Sequence, residues 1–185
     1  MIRRLPMLQK PIAPSFPPAQ GQPPRPMGQI FGLRDDQRPA FSRVLDSLRQ
    51  AQPDCTRRLG GDRTSPAALA DAREALASVV AASSQERGFL SYHQGLIDLC
   101  GGDPGQARAE FESALADYEE YRNDPEQTPS PESLAMLSQY QMLTEYGLGL
   151  AILSAGGRAS EADAAFARAL EAGRGAVVPD QAGPF

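Results

Sequence analysis

Tryptophan is absent from this chain, and histidine and lysine each occur once, as His93 and Lys10. Aromatic residues make up only 6% of the 185 positions. Bulky β-branched residues are few and scattered, which argues against a sheet, since strands depend on such side chains packing across a pleated surface. Cysteine is scarce too. Cys55 and Cys100 stand 45 residues apart with no His or Cys cluster beside either, which excludes a zinc site. Spacing leaves two states open, a disulfide and two free thiols in a reducing compartment, of which the second is expected. No apolar run approaches the ~20 residues that a membrane span requires. The N-terminus lacks the apolar stretch of a secretory signal, although Met1-Ile2-Arg3-Arg4-Leu5 resembles the opening of an organellar targeting sequence. The expected location is therefore the cytoplasm, or an organelle interior.

What the chain has in quantity is alanine, leucine, proline and charge of uneven distribution. Residues 1–34 carry Arg3, Arg4, Lys10, Arg25 and Arg34 and no acid, for a charge of +5. The remainder carries −10. A basic arm on an acidic body is not the footprint of a nucleic-acid-binding domain. It reads as an interaction tail, with those five cations as its docking groups. Eight prolines fall between Pro6 and Pro26. Proline removes backbone donors and fixes φ, so the arm is expected to be extended, much of it polyproline II. Three regions follow: an arm over 1–34, a helical domain over 35–173 and a short tail over 174–185.

Six helices are predicted in the body. The first, 39–51, aligns Phe41, Val44, Leu45 and Leu48 on one face at helical spacing. A polar loop, 52–64, precedes Ser65-Pro66, a cap followed by proline in the first turn. The second helix then runs to Ser83, with Leu69, Ala72, Leu76, Val79 and Val80 inward. The third, 85–100, stops at Gly101-Gly102. Asp103-Pro104 opens the fourth, with Gln106 completing a capping-box-like pair. After the break at 123–130, Ser130-Pro131 opens the fifth and longest, which runs to Ala155. Gly156-Gly157 turns it into the sixth, 160–172, which Ser160 and Asp163 are expected to cap.

The later helices repeat. Ala107-x3-Phe111-x2-Ala114-Leu115 matches Ala162-x3-Phe166-x2-Ala169-Leu170 at an offset of 55. Ala72-x3-Leu76-x2-Val79-Val80 fits the same frame at an offset of 35, and Tyr92-x2-Gly95-Leu96 matches Tyr146-x2-Gly149-Leu150. This pattern resembles the tetratricopeptide repeat (TPR), with its W-x2-L-G-x2-Y, A-x3-F and A positions. Gly95, Ala107, Phe111 and Ala114 stand at the family's spacings, and Gly149, Ala162, Phe166 and Ala169 form a second copy with one extra residue in its turn. The family's Trp and terminal Pro are missing. The resemblance covers 86–173 well and 39–83 weakly, and implies an all-α, TPR-like solenoid of about three helical hairpins. It also implies a partner-binding groove lined by Phe89, Tyr92, His93, Leu96, Leu143, Tyr146 and Leu150. Lys, Arg and Asn are absent from that lining, so an acidic C-terminus is not its ligand, and an apolar or aromatic segment suits it better.

No catalytic constellation is present. His93 has no Ser or Cys at a motif spacing from it, as a base–nucleophile pair would need. Cys100 reads as a small buried apolar residue. Nine acids and two arginines over 88–126 give a local −7. They lack the EF-hand pattern and read as a solvated helix face. The double glycines follow no strand, so they are turns and not phosphate loops. No metal, cofactor or nucleic acid is expected, and the chain is not expected to be an enzyme. The expected function is a protein–protein interaction module, an accessory subunit or assembly factor that docks partners through groove and arm. The alternative is a peptide-binding regulator or chaperone that acts transiently in solution.

Overall fold

The computed structural model describes residues 36–58, 66–126 and 128–176. All regular structure among them is helical: α1 (Arg38–Arg58), α2 (Pro66–Ala77), α3 (Ser84–Gly101), α4 (Pro104–Asn123), α5 (Pro131–Ser154) and α6 (Ala159–Gly175). None is long and apolar enough to cross a membrane. The arm, the five cations assigned to it and the end of the tail lie outside the described residues.

Local chemistry sets most of the boundaries. Ser83 accepts from the Glu86 N–H at 3.2 Å and starts α3, while the Glu86 carboxylate accepts from the Ala82 N–H. Asp103 accepts from the Gln106 N–H at 3.0 Å at the start of α4, and Ser130 accepts from the Ser133 N–H at 3.1 Å at the start of α5. Each of those two is followed by proline at the first turn, where its missing N–H costs nothing. Gly102 (φ 86°) and Gly156 (φ 72°) terminate α3 and α5 in the left-handed region that side chains avoid.

Three boundaries differ from expectation. Helix α1 continues through Pro53 into the segment predicted as loop, at the loss of one backbone hydrogen bond. Helix α2 ends at Ala77, six residues before the predicted stop. There the Ser78 hydroxyl donates to the Ala75 carbonyl and the Gln37 amide donates to the Val80 carbonyl, so side chains replace the helical ladder. Val79 is buried as predicted, but Val80 points outward, 65% exposed. Ser160 does not cap α6. That helix begins a residue earlier, and its N-cap, Arg158, makes no side-chain cap bond.

Successive helices pack antiparallel. Gly88 lies against Tyr118 and Gly95 against Phe111, which fixes α3 against α4. Gly149 lies against Phe166 and Gly175 against Ser138, which fixes α5 against α6 in the same sense. Phe111 also meets Gly147, so one ring is clamped between a glycine of α3 and a glycine of α5. A Cβ at either glycine would stand 2.7 Å from that ring, too close for any side chain. The main core lies where α3, α4, α5 and α6 meet. Two smaller clusters, around Phe41–Val79–Phe89 and Val44–Leu76–Ile97, join α1 and α2 to α3.

Cys100 is disulfide-bonded, and no cysteine among the described residues is free. The expected pair of free thiols is therefore corrected. The sulfur is buried beside Leu69, as its reading as a small apolar residue requires.

Candidate functional site

His93 sits on α3 inside a cage of rings. Phe41 of α1 and Phe89 of α3 approach each other at 4.7 Å between centroids, and Phe89 lies 4.3 Å from His93. Tyr92 meets His93 edge-on at 4.9 Å, and Tyr140 of α5 closes the far side against Phe89 at 4.9 Å. His93 Nδ1 stands 2.8 Å from the Phe89 carbonyl, which assigns the proton to Nδ1, since the carbonyl can only accept. Burial pushes the imidazole down to about 4, against a smaller upward pull from that hydrogen bond. The ring is thus neutral at physiological pH and hidden from solvent. Burial also raises Tyr92 to about 12 and shifts Tyr118 and Tyr140 upward.

Phe89, Tyr92 and His93 are all buried, so none of them lines an open groove. Phe41 of α1 packs against Phe89 and His93, while Phe111 of α4 and Tyr140 of α5 pack against Tyr92. Leu96 and Leu143 are half-buried against the main core. Tyr146 alone of the seven is exposed, at 53%, with Leu150 half-buried one turn further along. The alanine and phenylalanine positions of the repeat are buried, apart from a half-buried Phe166.

Most of the other polar groups inside the molecule that bear charge are paired. Asp98, predicted with the solvated acids, is buried, paired to Arg73 of α2 at 2.9 Å and bonded to Gln94. Glu145 of α5 is buried under Arg168 of α6, which grips both carboxylate oxygens at 2.7 and 2.9 Å and has its own pKa raised by that contact. Thr144 donates to the Tyr140 carbonyl at 2.8 Å. The buried Tyr118 hydroxyl has no hydrogen-bond partner among the described residues. Other acids on α4 do face solvent, where Arg87 bridges Asp117 and Glu120, and Arg108 bridges Glu112 and Glu161. No cluster of His, Cys, Asp and Glu among the described residues could hold a metal.

Two features break the surface. One is a small cleft bounded by Gln85, Phe89, Tyr118, Met136, Leu137 and Tyr140, with room for about one water molecule and none for a ligand. The other is the apolar edge of the last hairpin. Tyr146, Leu150 and Leu153 share one face of α5 at i, i+4, i+7, Tyr146 stacks 5.6 Å from Phe166, and Leu170 of α6 is 74% exposed. Sequence reasoning missed Tyr140 and the Glu145–Arg168 bridge. The earlier copy has Glu86, Ser91 and Ser113 at the matching places, so comparing the copies gave no signal. No family model, curated protein or solved structure matches this chain.

Proposed function

We propose that this protein is a non-catalytic interaction module built of TPR-like hairpins, an accessory subunit or assembly factor that docks a partner chain through α5 and the arm over 1–34. The observation that carries the reading is the contrast between an interior whose charged groups are paired and an apolar edge left in water. The buried histidine is caged by rings, and two buried carboxylates are held by arginines. Meanwhile Tyr146 and Leu153 stand half in water on one face of α5. Aromatic and aliphatic anchors of this kind are what protein interfaces bury. The arm adds a second, basic attachment point, and two tethered contacts multiply affinity without a large single interface. The transient peptide-binder alternative needs the inner groove, whose deepest residues are already covered by α1.

The disulfide at Cys100 favours an oxidising compartment over the cytoplasm first expected, because cytosolic reductants keep thiols free. The deciding experiment is affinity purification of the full chain from its own cells beside a Tyr146→Ser/Leu153→Ser variant and a form lacking residues 1–34. A stoichiometric complex that the full chain retains and both altered forms lose is the expected result. Recovery of all three without a stoichiometric partner would refute the subunit reading.

A further inference from the structure

The outer face of α6 has a pattern that α5 does not. Asp163, Ala167, Leu170 and Arg174 are all exposed and fall at i, i+4, i+7 and i+11. At 100° per residue these four side chains form one narrow stripe along the helix, within ~60° of arc. Leu170 is the most exposed large apolar side chain among the described residues. Ala167 beside it is small enough to let another helix come close. An acid stands at one end of the stripe and a base at the other.

The spacing is symmetric. Asp163 and Arg174 lie equally far, about 8 Å at 1.5 Å per residue, on either side of the midpoint between Ala167 and Leu170. A twofold axis through that midpoint would set Leu170 against Ala167 of a second α6 running the opposite way. It would also set Asp163 against the second copy's Arg174, and Arg174 against its Asp163. The stripe is therefore its own complement in shape and in charge, as an isologous interface must be.

The repeat explains why no described helix covers this face. Phe111 and Leu115 of α4 correspond to Phe166 and Leu170 of α6. Helix α5 covers the first pair, with Gly147 against the Phe111 ring. No later helix among the described residues covers the second pair. Arg174 now bonds Glu171 on its own helix at 2.6 Å, with both side chains more than 70% exposed. An exposed contact of this kind yields readily to a better-placed carboxylate.

We propose that two copies of this chain associate through α6, pairing these helices antiparallel about the Ala167–Leu170 midpoint. The proposal rests on α6, not on the α5 surface assigned to a partner, so the two stand or fall separately.

The test is sedimentation equilibrium of the full chain over a concentration series. The wild type is expected to dimerise, and Leu170→Glu to weaken the dimer at least about ten-fold, since a buried leucine is lost and a charge is placed in the contact. Asp163→Arg and Arg174→Asp are each expected to weaken it a few-fold, by setting like charges opposite one another twice. The double charge swap is expected to recover the wild-type constant. All four positions are exposed, so the charge variants keep the helical content and melting temperature that show they are folded. A wild type that stays monomeric at the highest concentration reached would overturn the proposal. So would a double swap no better than the single changes. A chain that dimerises only after residues 177–185 are deleted would assign the stripe to the protein's own tail and overturn it equally. Tyr146→Ser leaves the dimer unchanged, whatever it does to a partner.

Discussion

The hairpins α3/α4 and α5/α6 are written in nearly the same residues and end in different environments. Tyr92 and Tyr146 hold equivalent positions, yet the first is 8% exposed and the second 53%. Phe111 is fully enclosed, while Phe166 is half-buried. What differs is the neighbour: α5 covers the earlier hairpin, and no described helix covers the later one. The repeat pattern specifies how two helices fit within a hairpin. Whether a given position is buried depends on what is packed against that hairpin, which no single copy encodes.

The sharpest way to break the comparison is to truncate both rings. Phe111→Ala is expected to destabilise the protein by about 3–5 kcal/mol, because the enclosing helices cannot collapse around the cavity. Phe166→Ala should cost about 1–2 kcal/mol, because that ring already keeps part of its surface in water. Urea unfolding of both variants checks this, and equal losses would mean that the last hairpin is covered in solution.

The position after each tyrosine offers the next test, since His93 in one hairpin corresponds to Gly147 in the other. Folding lowers the His93 pKa to about 4, from an ordinary value near 6.5. The unfolded chain therefore takes up the proton first. The stability owed to neutral His93 is full above about pH 6.5 and lost as pH falls towards 4, amounting to about 3 kcal/mol. His93→Phe should flatten that part of a stability–pH curve measured by chemical denaturation. A slope unchanged by the substitution would place the acid sensitivity in the carboxylates.

The later hairpin also has a device that the earlier one lacks. Glu145 and Arg168 replace Ser91 and Ser113 at the matching places. Arg168→Ala should cost about 2 kcal/mol, since it leaves a buried carboxylate unpaired. Glu145→Gln should cost less, because the half-exposed Arg168 can turn to water. Thermal melts at one pH rank the two. The smallest effect belongs to Tyr146→Ser, within about 0.5 kcal/mol in the same assay, as befits a surface position.

Much of this architecture is legible in the sequence, because its signals are local. Ser130-Pro131, Asp103-Pro104 and the two double glycines act within one turn of the chain, so they place the helix ends correctly. The alanine positions of the repeat are buried, and both phenylalanines meet a glycine of the helix before, as their spacing implies. Several of the failures are non-local. Helix α2 ends early because Gln37, 43 residues before Val80, takes its carbonyl. Phe89 and His93 are hidden because Phe41 reaches them from α1, and Tyr92 because Phe111 and Tyr140 reach it from α4 and α5. Asp98 looks like one surface acid among nine until Arg73 arrives from α2. Periodicity cannot anticipate partners of that kind.

The cage around His93 has a further consequence for how the molecule meets acid and salt. Imidazole, thiol and the α-amino group are the groups that ordinarily change charge near neutrality. In the described body the one imidazole is held neutral, the one described thiol is committed to a disulfide, and lysine is absent. The folded body thus has no proton buffer of its own between about pH 6 and 9. Its surface potential should stay flat as a compartment acidifies, while still falling with ionic strength. Electrostatic traffic on the described body would be tuned by salt and by its partners' titration, not by its own.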